Sequence, residues 1–329
     1  MIHLFLVEER ERGMRLDKFL VEKLGSSMSR AKIQKAIEEG QWTVDGKEVS
    51  VHHFLKAGQK VEEAKGIKEM SEETSLDEVK VIAETEDYVV IDKPSGVAVH
   101  PAPGIDEPTV VEMLADRYPE LYSVGEDPMR PGVVHRIDKL VSGALVLARN
   151  QATFTHLKRQ FQSREVTKQY IALVQGTFVN DEGVIDLPLV RSTTKGKRGK
   201  IQALPLAGKS QTRADWTQTN AERSVDNRKT REAVTKFEVA KRFPRFTLLR
   251  VFPETGRTHQ IRAHFAAIGH PIAGDPLYHG SRKYKSSFIL TRPFLHASSI
   301  SFVDREGNEQ TYPSPLPHML RVIVDGLGG

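Results

Sequence analysis

The chain has 329 residues, 39% hydrophobic and 28% charged, a balance that excludes a wholly disordered protein and leaves room for two folded units. No apolar run reaches the roughly 18 residues needed to span a bilayer, and the lack of cysteine excludes disulfides, thiol catalysis, iron–sulfur ligation and cysteine-based zinc sites. The net charge of +5 is uneven: residues 191–250 carry sixteen Lys and Arg against five Asp and Glu, while the rest is acidic on balance, so one stretch suits a polyanion.

The start, Met1-Ile2-His3-Leu4-Phe5-Leu6-Val7, has no basic lead and too short an apolar stretch for a secretory signal, so the cytosol is the expected compartment. Leu16, Phe19, Leu20 and Leu24 recur at helical spacing, with Asp17, Lys18 and Lys23 expected on the wet side. A second helix follows, with Ser29 as N-cap, Ile33, Ala36 and Ile37 as its buried stripe and Gly40 as its stop. Trp42-Thr43-Val44 and Lys47-Glu48-Val49 flank Asp45-Gly46, a pair that tolerates positive φ and so predicts a tight hairpin. Arg15, Lys18, Arg30, Lys32 and Lys35 then make one basic outer face. The segment from Arg15 to Val61 resembles the small RNA-binding module first seen in ribosomal small-subunit protein four. That resemblance implies phosphate contacts that position an RNA without reading its bases.

Lys68 to Glu78 is acidic and poor in apolar residues, which reads as a linker. The expected organisation is a small RNA-binding domain over 1–65, a linker over 66–78 and a large domain over 79–329 with a basic, mobile insertion at 191–230. In the large domain Tyr88-Val89-Val90-Ile91 predicts a buried strand ended by the turn Asp92-Lys93-Pro94-Ser95-Gly96. A helix is expected over 108–117, with Val110, Val111 and Leu114 inward. Next comes Val133-Val134-His135-Arg136-Ile137-Asp138, then Ser142-Gly143 and the apolar strand 144–148. Asp138, on a loop that opens a buried strand, is placed as a nucleophile or base must be. A helix with Phe154, Leu157 and Phe161 inward leads to Lys168-Gln169-Tyr170, the start of a strand with Tyr170, Ala172 and Val174 on one face. The last motif is Thr255-Gly256-Arg257-Thr258-His259-Gln260-Ile261-Arg262-Ala263-His264, followed by Gly274-Asp275 and Tyr278.

His-Arg-Ile-Asp with Ser-Gly, Lys-Gln-Tyr and Thr-Gly-Arg-Thr-His-Gln-Ile-Arg, in this order, resemble the RluA family of RNA pseudouridine synthases from about Val79 to His318. With the amino-terminal module the chain is similar to that family's ribosomal large-subunit members. The resemblance implies an α+β fold around a mixed, largely antiparallel sheet with a cleft along its middle. It implies Asp138 as catalytic aspartate, Arg136 as the residue entering the RNA stack, Tyr170 as the aromatic stacked on the target base and Arg262 as the partner of Asp138. That pairing is expected as a two-toothed, charge-assisted hydrogen bond. Val141 stands where the family has Thr, and Asp92 where Asn is common.

The implied reaction isomerises uridine to pseudouridine in RNA, with ribosomal RNA expected ahead of transfer RNA, and needs no cofactor. His259 and His264 miss the spacing of a His-x-x-x-His metal site, so no metal is expected. A monomer with no membrane partner is expected. A noncatalytic RNA-binding or assembly protein is the rival reading, but binding alone requires none of Asp138, Tyr170 and Arg262. A hydrolase using His135 with Asp138 is a second rival. Residues three apart on an extended segment point to opposite faces, and no oxyanion-hole glycine run accompanies them.

Overall fold

A computed structural model describes residues 3–25, 29–38, 42–63, 79–191, 200–204, 230–278 and 290–327. The expected linker at 66–78 and most of the 191–230 insertion lie outside them. The chain divides into two compact units, one of residues 1–71 with 283–290 and one of 72–282 with 291–329.

The first unit runs β1 (Leu4–Leu6), α1 (Leu16–Leu24), α2 (Arg30–Glu38), β2 (Trp42–Val44), β3 (Lys47–Glu48) and β4 (Lys60–Glu63), with its strands in the order β1-β4-β2-β3. Leu16, Phe19, Leu20, Ile33, Ala36 and Ile37 close the helices over Trp42, Val44 and Val61. Asp45 and Gly46 take φ of 51° and 71° in the hairpin, as the Asp-Gly pair requires.

Asp17 departs from its expected place on the wet side of α1, for its side chain is fully buried. Arg15 donates to Asp17 Oδ1 and Oδ2 at 3.0 and 2.9 Å, Arg30 Nη2 donates to Oδ2 at 3.0 Å, and Gln34 Nε2 donates to Oδ2 at 2.9 Å. Burial opposes the charge on Asp17, but these hydrogen bonds outweigh it and hold the carboxyl far below its usual range. Asp17 thus ties α1 to α2 and presents two guanidinium groups outward. Lys18 and Lys32 are exposed, and the side chain of Lys35 is not among those described.

The second unit runs β5 (Lys80–Glu84), β6 (Tyr88–Lys93), α3 (Val110–Leu114), β7 (Ser142–Ala148), α4 (Gln151–Ser163), β8 (Thr167–Gln175), β9 (Glu182–Asp186), β10 (Leu189–Arg191), β11 (Ile201–Ala203), β12 (Val234–Arg242), β13 (Phe246–Pro253), α5 (Gln260–Ala267), β14 (Leu295–Val303), β15 (Glu309–Pro313) and α6 (His318–Gly326). One sheet orders its strands β5-β6-β7-β14-β8-β13-β12-β9, with β15 on β14. β7 and β14 run parallel and the other pairs antiparallel, which makes the fold α+β. β6 and β7 are buried on both faces. Val89, Ile91, Leu145 and Leu147 pack towards α3, and Val90, Val146 and Ala148 pack with Phe154 and Leu157 of α4.

The helix expected over 108–117 is shorter. Thr109 and Glu112 form its capping box, and Pro119 opens a separate 3₁₀ turn over Pro119–Ser123. Gly143, at φ 123°, lies so close to β14 that a Cβ there would collide with the Ala297 backbone, so only glycine fits. No helix among the described residues is long and apolar enough to cross a membrane.

Candidate active site

A cleft of about 580 Å³ opens along the sheet, lined from the loop before β7 (Val134 to Asp138), the end of α4 (Lys158 to Arg164), β8 (Lys168, Tyr170) and the segment from Pro253 to Arg262. Arg136 and Asp138, Tyr170, and Arg262, from three sections of sequence, all meet there.

The loop bearing Asp138 is pinned from below. Lys93, fully buried, donates from Nζ to the carbonyls of Pro94, Val97 and Lys139 at 2.6, 2.7 and 3.2 Å. Ser95 Oγ donates to the Leu140 carbonyl at 2.9 Å and the Gly96 amide to the Lys139 carbonyl at 2.8 Å. The turn at 92–96 is therefore a clamp on the loop that carries Asp138. Asp92, where the family commonly has Asn, accepts from Ser314 Oγ at 2.9 Å, and Val141 is buried beside the cleft.

Arg262 reaches Asp138 through one hydrogen bond, Nη1 to Oδ2 at 3.2 Å. The expected two-toothed contact goes elsewhere: Nε and Nη2 grip Asp275 at 2.6 and 2.9 Å. The geometry follows from α5, which presents the guanidinium edge-on to the turn holding Asp275 and leaves a single nitrogen for Asp138. Burial works against the charge on Arg262, but Asp275 first and Asp138 second push its pKa up, so it stays cationic.

Tyr170 is buried on β8, and its hydroxyl has no hydrogen-bond partner among the described residues. Burial first, and Asp138 second, push that hydroxyl well above its ordinary range, so it stays protonated. Arg136 is exposed and donates from Nη1 to His100 Nε2 at 3.3 Å, while His100 Nδ1 donates to the Pro101 carbonyl at 2.8 Å.

His135 turns away from Asp138. It accepts the Val146 amide on Nε2 at 3.1 Å and stacks on Phe161 at 4.6 Å. Burial, with Lys168 adding, lowers its pKa to about 3, so it is a neutral strut. His264 is likewise structural, donating from Nε2 to the Leu187 carbonyl and accepting Thr235 Oγ1 on Nδ1, both at 2.9 Å. Gln260 takes Thr255 Oγ1 and the Arg257 amide on its carbonyl oxygen, which fixes the motif ahead of α5. Among the described residues no group of three His, Asp or Glu side chains converges as a metal ion requires.

Residues 87–267 match the family described as RNA pseudouridylate synthase. The chain belongs to that family. Residues 14–61 of the synthase match the S4 domain. An uncharacterized RNA pseudouridine synthase of Bacillus subtilis (strain 168), YlyB, is 34% identical over 324 residues, covering 97% of this chain and 96% of its own. The ribosomal large subunit pseudouridine synthase D of Xanthomonas campestris pv. campestris is 32% identical, covering 98% of this chain and 91% of its own. A solved structure of the human RNA pseudouridylate synthase domain containing 4 shares the fold at a TM-score of 0.58 and 22% identity, covering 76% of this chain and 93% of its own. The activity of the synthase is thus the isomerisation of uridine to pseudouridine in RNA.

Sequence reasoning about the synthase missed Asp275, which anchors Arg262, and the placement of His259 beside Asp138 with Tyr278 against it. One signal was available: His259 precedes Arg262 by three residues, one helical turn.

Proposed function

We propose that this synthase isomerises uridines of large-subunit ribosomal RNA, with Asp138 as the reacting carboxylate and no cofactor. The reaction breaks the bond from ribose C1′ to N1, turns the uracil, joins C1′ to C5 and releases the C5 proton, while N1 gains one. Substrate and product are isomers, so no redox partner or group donor is required. Asp138 attacks the ribose, adds to the ring or removes the ribose 2′ proton, and each route starts from an ionised, aimed carboxylate. Arg262 keeps it so.

The observation that carries this reading is the placement of Asp138 on a clamped loop, hydrogen-bonded to a buried arginine, in one cleft with Tyr170. Tyr170 offers the detached base a stacking surface worth about 1–3 kcal/mol. The target must leave its helix to reach that surface, and the exposed Arg136 fills the gap it leaves. The cleft suits a polyanion, with Arg136, Lys158, Arg164, Lys168, Arg257 and Arg262 against Asp138 and Glu254. Arg15, Lys18, Arg30, Lys32 and Lys35 supply a second phosphate-binding surface.

Ribosomal RNA is favoured over transfer RNA because a 32% identical relative, matched over nearly its whole length, carries the ribosomal large subunit in its name. The test is to map pseudouridines in total RNA from cells with and without the gene. Loss of sites in large-subunit ribosomal RNA is expected. Loss confined to transfer RNA, or no loss, contradicts the proposal.

A further inference from the structure

His259 enters the cleft from the last residue before α5, and two features suggest more than packing. It takes φ 54° and ψ 20°, the left-handed region, which non-glycine residues rarely adopt and which collects at functional sites. Its ring is also oriented, by a hydrogen bond at Nδ1. The Tyr278 hydroxyl accepts the Ile201 amide at 3.0 Å, so its own proton points to His259 Nδ1 at 3.1 Å. A neutral imidazole that accepts on Nδ1 carries its proton on Nε2. Nε2 lies 3.9 Å from Asp138 Oδ2, the oxygen that already accepts Arg262 Nη1 at 3.2 Å. Asp138 Oδ1 has no partner among the described residues. His259 is neutral because burial lowers its pKa and Arg262 and Arg136 add to that, against the opposite pull of Asp138 and Asp275.

One carboxylate aligns both donors. Asp275 grips Arg262 through both its oxygens, and Oδ1 also accepts the backbone amide of Tyr278 at 3.0 Å. The Tyr278 ring packs against the Arg262 guanidinium at 5.2 Å and edge-on to His259 at 5.7 Å. A shift of the Asp275 turn would therefore move both groups that face Asp138.

We propose that His259 is a positioning residue of the isomerisation: when RNA fills the cleft, its Nε2–H closes on Asp138 Oδ2, so that Arg262 and His259 together hold that oxygen and Oδ1 is left to react. Hydrogen bonds of catalytic groups are commonly long before substrate binds and tighten in the complex. The inference rests on Asp138 being the reacting carboxylate and adds the means by which one of its two oxygens is selected.

The test uses RNA from cells lacking the gene, labelled with 5-tritiated uridine. Tritium release under single turnover is measured with the full-length protein, and RNA affinity is measured separately. Removal of the imidazole in His259→Ala is expected to slow release at saturating RNA about 10- to 100-fold while leaving affinity within about twofold. His259→Gln, whose amide reaches the same position, is expected to recover most of that rate. His259→Asn tolerates the left-handed backbone but is too short to reach Asp138, and it is expected to stay slow even though it folds. Tyr278→Phe frees the imidazole to turn and is expected to fall between the parent and His259→Ala.

Full rate in His259→Asn or His259→Ala overturns the inference. So does a loss confined to affinity, which would place His259 on the RNA instead of on Asp138. Asp138→Asn, assayed alongside, separates the two levels: a silent Asp138→Asn beside a fully active His259→Ala sinks only the positioning role, whereas an active Asp138→Asn sinks the reading beneath it.

Discussion

Arg262 and Asp275 form a buried two-toothed ion pair, Nε to Oδ2 at 2.6 Å and Nη2 to Oδ1 at 2.9 Å, from which the remaining guanidinium nitrogen reaches Asp138. Asp275 therefore sets the angle at which the arginine meets Asp138, the carboxylate proposed to react. Asp275→Asn is expected to keep the volume, turn the guanidinium and slow the chemical step about a hundredfold. Breaking the pair from either side, by Asp275→Asn or Arg262→Met, is expected to cost about 3–5 kcal/mol of stability. The double variant should lose less than the sum of the two. Urea denaturation of the four proteins gives the coupling, and strictly additive losses would exclude the pair.

Tyr170→Phe is expected to fold with the parental Tm, since the hydroxyl has no partner to lose among the described residues. It keeps the stacking face, so any drop in single-turnover rate reports on the hydroxyl alone. Tyr170→Ala removes the face as well and is expected to slow turnover further, by the equivalent of about 1–3 kcal/mol of lost stacking. Equal rates for the parent and Tyr170→Ala would make the tyrosine a packing residue only.

Lys168 lies two residues before Tyr170 on β8 and lines the same cleft, with no hydrogen-bond or ion-pair partner among the described residues. Burial lowers its pKa from 10.5 to about 8. Between those values the unfolded chain binds more protons than the folded one, so stability rises with pH through this window and carries the full cost of the buried charge below it. Lys168→Met is expected to raise Tm by a few degrees at pH 7, with the gain shrinking towards pH 10. The same variant should bind RNA more weakly and lower the salt slope of binding by about 0.7 to 0.9, as one lost phosphate contact requires. A lower Tm at pH 7 or an unchanged salt slope would contradict this.

Deletion of residues 1–65 is expected to weaken RNA binding, flatten its salt dependence and broaden the choice of site, while turnover at saturating RNA survives. The expectation follows from the proposal that Arg15, Lys18, Arg30 and Lys32 contact phosphates, adding to the contacts of the cleft without taking part in the reaction. Identical binding by the truncated and full-length proteins would make the first unit an appendage. Loss of turnover at saturation, with the second unit folded, would assign it a part in the reaction.

The elements that were legible in the sequence are those whose signal is local. Leu16, Phe19 and Leu20 mark α1 by period, Asp45-Gly46 marks the hairpin by its φ requirement, and the unbroken run from Ala144 to Ala148 marks a strand covered on both faces. Asp138, Tyr170 and Arg262 were legible because their motifs stand in a recognisable order, and the fold carries all three into one cleft.

What was not legible depends on partners distant in sequence or on geometry within a turn. Asp17 looks like a solvated charge in a helical pattern until Arg30 and Gln34, 13 and 17 residues on, close over it. Asp275 looks like a turn residue until α5 points Arg262 at it. His259 looks like one histidine among twelve until its left-handed backbone turns the ring towards Asp138.

Asp138 is proposed to perform the isomerisation. Single-turnover assay of purified Asp138→Asn on RNA from cells lacking the gene, with binding measured in parallel, tests it most directly. The substitution keeps the volume and removes the charge and the nucleophile. No pseudouridine formation, with RNA affinity within a few-fold of the parent, is the predicted result. Turnover within about tenfold of the parent would contradict the assignment.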